Sequence, residues 1–282
     1  RVANHIGTIH HFLEVTPGDF ERLRSVVADF GEPFADASML PTTLLAEFTR
    51  RHVKVALSGD GADELFGGYY RYRVMHLARL FTVAPKCLRQ LIRKRLSAVL
   101  PPKTEERTFV GRIQRLLEIS DCEGLERYLR IISRFPRPLR DGVYTDGMRR
   151  AVDGVCDLDV LSAFFSPGRP IAESIMEVDI STYLNNDILI KVDRASMAHA
   201  LEVRSPFLDP AVADIALSLP YRWKQSGRRR KRILEDTFRD YLPADIFRRP
   251  KMGFGVPVAP WLRGQWYGPA KDMLRDGELA RC

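Results

Sequence analysis

The stretch VKVALSGDGADELFGGYYRY, residues Val53–Tyr72, joins a short apolar run to a turn made of glycines and carboxylates. The run Val53–Leu57 has the length and residue types of a strand buried in a parallel sheet. In open α/β sheets, ligands bind beyond the carboxyl ends of the strands. The stretch therefore predicts an α/β fold and places a candidate ligand site at Ser58–Glu64.

The chemistry of this turn suits a metal and a phosphate. Ser58 and the main-chain N–H groups around it are candidate nucleotide ligands, and Gly59 lets the backbone approach a ligand closely. Asp60 and Asp63 would repel each other without a cation, and Mg²⁺ prefers a few carboxylate oxygens together with phosphate oxygens and water. The structural alternative is a helix start, in which Asp60 caps the helix while Asp63 and Glu64 complement its dipole. The spacing leaves both interpretations open, and no GxxxxGK(S/T) loop is present.

Lys191 is the second candidate, because it ends an otherwise apolar face of a predicted helix. Ile180, Leu184 and Ile188 precede it on that face. A lysine at the rim of a core can supply a fixed positive charge to a phosphate or a proton to a developing charge. The alternative is a surface ion pair with Asp187, one helical turn earlier, worth ~0.2–0.5 kcal/mol.

The order of the predicted elements is typical of an α/β protein. Thr8–Val15 predicts a strand, a helix follows, and Thr42 or Thr43 caps a second helix before the strand at Val53–Leu57. Helical periodicity then dominates residues 73–132 and 158–242. The simplest architecture is one domain with a small parallel sheet and a large helical elaboration.

Two further stretches are weaker candidates. Tyr69 follows Gly67 and Gly68 and could line a substrate pocket, although a tyrosine at a helix start more often packs. The segment PKMGFGVP, Pro250–Pro257, holds two glycines in a stiff frame, which predicts a lid or an interface loop.

The composition describes a globular, slightly basic chain of 282 residues with 45% hydrophobic residues and a net charge of +8. Because Lys and Arg are spread along many helical stretches, a nucleotide or another small anion is expected as partner rather than nucleic acid. The four cysteines form no CxxC pair, which argues against a zinc ribbon and a disulfide framework and favours a reducing compartment. No membrane helix or signal peptide is visible, so a cytoplasmic protein without membrane contact is expected.

Taken together, these stretches resemble the synthetase domain of glutamine-dependent asparagine synthetases, which belong to the N-type ATP pyrophosphatases. LSGDGADELFGGY and DILIKVDRASMAHALEVRSPFLD are specific to that group, and the similarity runs from VANHIGTIHHF to KMGFGVPVAPWL. The resemblance implies an α/β fold of the adenine-nucleotide alpha-hydrolase type. It also implies that residues 1–282 form one partial asparagine synthetase domain.

In that family, ATP activates aspartate as β-aspartyl-AMP with release of pyrophosphate, and ammonia made from glutamine attacks the intermediate. The resemblance implies ATP and Mg²⁺ as cofactors, with aspartate and ammonia or glutamine as substrates. It assigns the nucleotide to Ser58 and Gly59. It assigns Mg²⁺ to Asp63, together with an aspartate upstream. The remaining implied roles are phosphate binding and charge stabilisation for Lys191, amino-acid binding for Asp60, and the pocket wall for Tyr69.

Two parts of the family pattern are absent from the chain: the pyrophosphate loop SGGxDS and the N-terminal glutaminase domain with its cysteine nucleophile. We therefore expect a chain truncated at its N-terminus and at its C-terminus, which binds ATP poorly and is inactive alone. Asp60 stands where many members carry Glu. Related amidotransferases that act on a cell-surface polysaccharide, a peptide-like or a β-lactam-type substrate therefore stay open. So do a non-catalytic helical module and association as a homodimer.

Overall fold

The computed structural model describes residues 1–81, 95, 119, 122–249 and 253–276. The chain divides into two compact units. The first consists of Arg1–Ala62, Tyr183–Ile215 and the described residues from Ile233 onward, and the second consists of the described part of Asp63–Thr182 with Ala216–Arg232.

The described elements are mostly helical. In chain order the α-helices are α1 Val2–Ile6, α2 Arg22–Phe30, α3 Met39–Arg50, α4 Ala62–Phe66, α5 Tyr70–Phe81, α6 Gly124–Ile132, α7 Arg137–Val143, α8 Asp146–Ala151, α9 Asp157–Ser162, α10 Ile171–Asp179, α11 Ile190–Met197, α12 Pro210–Ser218, α13 Tyr221–Lys224, α14 Arg232–Phe238, α15 Val258–Arg263 and α16 Tyr267–Asp276. Single 3-10 turns are Pro17–Glu21, Pro206–Leu208 and Ile246–Arg248, and a π-helix covers Ile180–Leu189. The strands are β1 Val55–Leu57, β2 Glu202–Arg204, β3 Gln225–Ser226 and β4 Arg229–Arg230.

A small parallel sheet organises the first unit. Strand β1 pairs with β2 in parallel register, with Val55 opposite Glu202 and Leu57 opposite Arg204. Helix α11 leads into β2 and packs against α2 and α3. The buried core beside it consists of Val26, Phe30, Met39, Leu40, Leu44, Ala195, Trp261 and Trp266. The pairing with β2 fixes the backbone that leads into the turn after β1.

A helical core organises the second unit. Helices α5, α6 and α10 pack together, and their buried contacts come from Tyr72, Met75, Tyr128, Leu161, Ala172, Ile175, Met176, Val178 and Tyr221. The short hairpin β3–β4 is antiparallel, with Gln225 opposite Arg230. The fold is thus α/β with a small parallel sheet and many helices, as the sequence predicts.

Three local predictions need correction. Thr8–Val15 contains no strand; its β-favouring residues have no sheet partner among the described residues, and a strand needs one. The strand after Lys54 is confirmed, but it is not buried, because Leu57 is 74% exposed. The helix that Thr42 or Thr43 was expected to cap begins earlier, at Met39, and the hydroxyls of both threonines instead donate to carbonyls one turn back.

Some predictions lie outside the described residues. Between residues 82 and 121, the structure describes only residues 95 and 119 of the predicted helical run. Pro250, Lys251 and Met252 of the predicted lid or interface loop are also outside the described residues. Of the cysteines, the described Cys122 is buried and Cys156 is exposed, and both are free thiols. No helix in the described ranges has the length and apolarity needed to span a membrane.

Candidate active site

The turn after β1 begins as a continuation of the sheet. The N–H of Ser58 donates to the carbonyl oxygen of Arg204 at 2.8 Å, which extends the parallel ladder by one bond. The hydroxyl of Ser58 lies 2.8 Å from the hydroxyl of Ser205. Ser58 is therefore held by both its main chain and its side chain, and it gives the turn a fixed starting point.

The next two residues present main-chain donors. Within the part of the chain that the structure describes, the N–H groups of Gly59 and Asp60 donate no hydrogen bond. Gly59 is exposed, and a Cβ added there would meet no atom within 4 Å. Consecutive free N–H groups at the carboxyl end of a parallel strand can bind an anion.

The backbone then turns sharply at Gly61, which has φ of 82°. A Cβ at this position would also overlap the side chain of Leu208. Gly61 is thus needed for the fold, whereas the open space at Gly59 leaves room for a ligand.

Lys191 lies in the first unit and is 8% exposed. Leu184 and Ile188, which precede it on the predicted face, are buried as well. Two of the three apolar residues that the spacing places on this face are therefore buried, whereas Ile180 is half-buried and the segment Ile180–Leu189 is a π-helix rather than the predicted α-helix. The alternative of a surface pair is wrong about exposure, although the predicted pairing is present, with Lys191 Nζ 3.5 Å from Asp187 Oδ1.

A second carboxylate, Asp36, is the closer partner of Lys191. The ammonium donates to Asp36 Oδ2. Ser38 holds the same carboxylate through its N–H, 2.9 Å from Oδ1, and through its hydroxyl, 2.7 Å from Oδ2. Burial acts to raise the pKa of Asp36, but the hydrogen bonds from Lys191 and Ser38 outweigh burial and lower the pKa below its usual value.

Asp187 titrates differently although it shares the same lysine. Burial, together with the negative charge of Asp36, raises the pKa of Asp187 to about 6. The cluster therefore combines one carboxylate with a lowered pKa, one that takes up a proton near pH 6, and one ammonium. Asp36 was not a sequence candidate; the only local signal was the Asp-x-Ser spacing of Asp36 and Ser38, which is typical of an Asx turn.

Asp63 lies in the second unit, in the first turn of α4. Its Oδ1 is 3.1 Å from the ammonium of Lys231. Gly68 makes room for this pair, because a Cβ there would overlap the Asp63 carboxylate and lie 2.7 Å from Lys231 Cε. Lys231 has φ of 49°, in the left-handed region that disfavours residues with a Cβ. The sequence does not single out Lys231 within the basic run RRRKR, Arg228–Arg232, because such a run is also typical of a solvated helix start.

Tyr69 and Glu64 form a bonded pair in the same unit. The hydroxyl of Tyr69 donates to Glu64 Oε1, and the guanidinium of Arg71 lies 4.1 Å from the centre of the Tyr69 ring. Glu64 is 1% exposed. Its burial raises the pKa of the carboxyl even though the hydrogen bond from Tyr69 acts in the opposite direction.

The structure thus groups the predicted residues in two sets. Ser58, Gly59 and Asp60 follow one another in the first unit, which also contains Lys191, and Asp63 and Tyr69 belong to the second unit. Acidic residues in the first turn of α4 agree with the helix-start alternative for Asp63. No group of three or more His, Cys, Asp or Glu side chains that could hold a metal occurs among the described residues.

Comparison with known proteins identifies the family. The asparagine synthase family model matches residues 1–281. A Mycobacterium tuberculosis protein named "Putative asparagine synthetase (glutamine-hydrolyzing)" is 35% identical over 266 residues, 93% of this chain and 39% of that protein. Asparagine synthetase (glutamine-hydrolyzing) 1 of Bacillus subtilis is 28% identical over 268 residues, 94% of this chain and 40% of that protein.

A mammalian relative matches a shorter segment. Asparagine synthetase (glutamine-hydrolyzing) of Mesocricetus auratus is 35% identical over 90 residues, 30% of this chain and 16% of that protein. The chain spans about 39% of the length of the M. tuberculosis protein. The match over residues 1–281 nevertheless covers nearly every residue of the chain, and we conclude that the chain belongs to the asparagine synthase family.

Proposed function

We propose that this chain is part of an ATP-dependent, amide-forming ligase that makes asparagine from aspartate. The observation that carries the proposal is the family match over residues 1–281. The turn Ser58–Glu64 supports it, because free main-chain donors follow a parallel strand there. We include in this proposal a fold of the adenine-nucleotide alpha-hydrolase type.

The nucleotide is held at the end of β1. The N–H groups of Gly59 and Asp60 bind phosphate oxygens, and the hydroxyl of Ser58 adds a polar contact. Gly59 leaves open space for a phosphate to approach the main chain. Lys191 supplies positive charge to the phosphates. It must then exchange part of its pairing with Asp36 and Asp187 for the nucleotide.

Asp63 is the proposed ligand of Mg²⁺. A carboxylate beside the ammonium of Lys231 fits a metal–phosphate group, since the carboxylate binds the cation and the ammonium binds phosphate oxygens. Gly68 keeps the space that the Asp63 and Lys231 side chains occupy. When bound, Mg²⁺ neutralises charge on the phosphates.

The reaction proceeds in two displacements. A β-carboxylate oxygen of aspartate attacks the α-phosphorus of ATP, and pyrophosphate leaves with the electrons of the broken P–O bond. Ammonia then attacks the β-carbonyl carbon, loses a proton, and expels AMP. Asp60 accepts hydrogen bonds from the ammonium group of aspartate. Tyr69 forms the pocket wall, its hydroxyl oriented by Glu64.

The whole enzyme extends beyond this chain in the proposal. The curated relatives are longer, and the first ones named above have "glutamine-hydrolyzing" in their names. We propose that residues 1–282 are a partial synthetase domain and that a glutaminase domain of the same parent supplies ammonia. We further propose that the parent is a cytoplasmic enzyme.

The test is aspartate-dependent release of pyrophosphate from ATP by the full-length protein. Lys191→Ala is expected to lower kcat by about 10²–10³-fold, the usual cost of removing one charge-stabilising group. Lys54→Ala is the matched control, since Lys54 is an exposed lysine beside β1. Unchanged turnover in Lys191→Ala would remove Lys191 from the mechanism, and absence of pyrophosphate release with every acid tested would refute the ligase.

A second acceptor class remains a candidate because Asp60 stands where many family members carry Glu. A shorter carboxylate leaves more room for a carboxylate substrate other than aspartate, such as a peptide-like, β-lactam-type or cell-surface polysaccharide acid. Pyrophosphate release measured with aspartate and with a panel of such acids separates the two, because the acceptor with the highest kcat/KM identifies the substrate class.

A further inference from the structure

We propose that Asp36 is the positioning residue for Lys191: its carboxylate, oriented by Ser38, fixes where the lysine ammonium stands. This inference rests on the proposed function only in so far as Lys191 serves the reaction. The contact joins residues 155 positions apart in the chain. It therefore ties the loop before α3 to the start of α11.

Asp36 is built as a rigid anchor. Two hydrogen bonds from Ser38, one from its main-chain N–H and one from its hydroxyl, reach different oxygens of the carboxylate. Ser38 itself is buried. Because both oxygens of the Asp36 carboxylate accept hydrogen bonds from Ser38, the carboxylate is held in one orientation. The position of the Lys191 ammonium, which donates to Oδ2, is therefore fixed as well.

Asp187 cannot position the ammonium of Lys191 in the same way. Its Oδ1 is 3.5 Å from Lys191 Nζ, at the outer limit of a hydrogen bond. Asp187 lies in the π-helix that directly precedes α11. Because it belongs to the same continuous helical segment as Lys191, it cannot fix the position of the lysine relative to the other elements of the first unit. Asp36 comes from a separate element, and this is what positioning requires.

For the reaction, the consequence is that the ammonium of Lys191 is held in one position before the substrate binds. Lys191 has four flexible side-chain bonds, and its ammonium would otherwise sample many positions. With Asp36 in place the ammonium is ordered before a phosphate arrives, which lowers the entropic cost of using it. Without Asp36, only the longer contact to Asp187 remains within the cluster.

The first experiment measures the reactivity of Lys191 in the chain itself. An amine-selective acylating reagent is applied at pH 8, and peptide mass spectrometry follows Lys191 with the exposed Lys54 as internal reference. Asp36→Asn is expected to accelerate acylation of Lys191 about tenfold, because a charge-assisted hydrogen bond is lost. Asp36→Glu keeps the charge and should restore at least half of the protection. Asp29→Asn, at an exposed position of α2, is the matched control and should leave the rate unchanged.

The second experiment tests positioning in the reaction. In the full-length protein, Asp36→Asn should lower kcat for pyrophosphate release about tenfold, with a smaller change in KM for ATP, and Asp36→Glu should recover part of that loss. A role in folding alone would leave kcat per folded molecule unchanged.

In the acylation experiment, either of two outcomes overturns the inference. The first is folded Asp36→Asn with an acylation rate within about twofold of the parent, a change too small for the loss of a charged bond. If Asp36→Asn does not fold, Ser38→Ala decides, because it removes one hydroxyl donor and keeps the carboxylate; an unchanged acylation rate of Lys191 there overturns the inference equally. Failure of the proposed function shows separately, as absent pyrophosphate release by the parent, and does not alter the acylation result.

Discussion

Gly59 and Gly61 lie in the same turn, and the structure gives them different reasons to be glycine. Gly61 has φ of 82° and its missing Cβ leaves space that Leu208 fills. Gly59 has open space beside it. Gly61→Ala should therefore destabilise the fold by about 2–3 kcal/mol through backbone strain and overpacking, whereas Gly59→Ala should change stability by less than about 1 kcal/mol.

The Gly59→Ala and Gly61→Ala variants distinguish an effect on stability from an effect on ATP binding. Urea unfolding of both variants measures stability, and titration of ATP into the full-length protein measures binding. Gly59→Ala should weaken ATP binding while its unfolding midpoint stays close to that of the parent, because a methyl group would occupy the phosphate's approach to the main chain. Tight ATP binding by Gly59→Ala would contradict the proposed nucleotide site.

Asp187 gives a prediction about pH. Its pKa is raised from 3.8 to about 6, first by burial and then by the charge of Asp36. Between about pH 4 and pH 6, Asp187 is protonated in the native state and ionised in the unfolded chain. The free energy of unfolding therefore falls as the pH rises through this range. Asp187→Asn removes this ionisation and should be more stable than the parent by about 1 kcal/mol at pH 8, with little or no advantage at pH 4.

Urea unfolding across this pH range checks the prediction. The groups that face Asp187 are Asp36 and Lys191, and both are retained in the variant. Asp29→Asn serves as control, since Asp29 is exposed. A stability difference for Asp187→Asn that does not change with pH would show that Asp187 is ionised throughout.

At the residue scale, the sequence predicts which side chains are buried better than it predicts which residues they contact. The apolar spacing before Lys191 correctly indicates that Leu184 and Ile188 are buried, because a helical period can be read from neighbouring residues, but it does not predict the π-helix that these residues form. Its partner Asp36 could not be predicted, since it lies 155 residues away and the contact depends on tertiary packing. Lys231 was missed for a similar reason: its pairing with Asp63 depends on Gly68 and on the hairpin β3–β4.

At the element scale, the one-turn helix α13 carries a buried lysine. Lys224 is 4% exposed, and its stem packs against Gly67, where an added Cβ would lie 3.2 Å from Lys224 Cβ. Burial lowers the pKa of Lys224 to about 8, with Glu173 acting in the opposite direction. The folded pKa is below the unfolded value of 10.5, so the charged form works against the fold at neutral pH and stability rises between pH 8 and 10.5.

Lys224→Met should therefore stabilise the protein at pH 7 by about 1–2 kcal/mol, because it keeps the stem and removes the buried charge. The advantage should shrink above pH 8 and vanish near pH 10.5, as measured by urea unfolding at each pH. Lys54→Met is the control at an exposed site. If Lys224→Met were less stable than the parent at pH 7, the ammonium would have a favourable contact that outweighs its burial.

Element boundaries show where local pattern fails. The strand after Lys54 forms where its apolar run predicts it, yet Leu57 is exposed, because only β2 pairs with β1 among the described residues. Thr8–Val15 has strand-like residues and forms no strand. In both cases the residue pattern is a preference, and the outcome depends on which other strands lie beside the segment.

At the scale of the whole molecule, similarity to a known family predicted more about this chain than the periodicity of its residues did. Helical and strand periods predict an α/β chain with a small sheet, but they do not specify how the chain divides. The two motifs LSGDGADELFGGY and DILIKVDRASMAHALEVRSPFLD identified the family. They did so because each fixes many residues at once, whereas spacing alone left a helix start and a metal site equally open at Asp63.

Asp179 is a buried carboxylate in the helical core of the second unit. Asp179 is 0% exposed and accepts from Arg71 Nε at 2.8 Å and from the hydroxyl of Tyr128. Burial acts to lower the pKa of Arg71, but the charge of Asp179 outweighs it and the pKa is raised. The network joins α5, α6 and the end of α10, the helices that form this core. Removing Asp179 would leave a guanidinium largely buried beside two tyrosines.

Asp179→Ala should therefore lower the free energy of unfolding by about 3–5 kcal/mol, the usual cost of an uncompensated buried charge. Asp157→Ala, which breaks the more exposed pair with Arg140, should cost about 1 kcal/mol or less. Urea unfolding gives both values, and hydrogen exchange should show protection lost first in α5, α6 and α10. The double variant Arg71→Met/Asp179→Leu should lose much less than Asp179→Ala, because the charge and its partner leave together. If Asp179→Ala cost no more than Asp157→Ala, the buried network would not support this core.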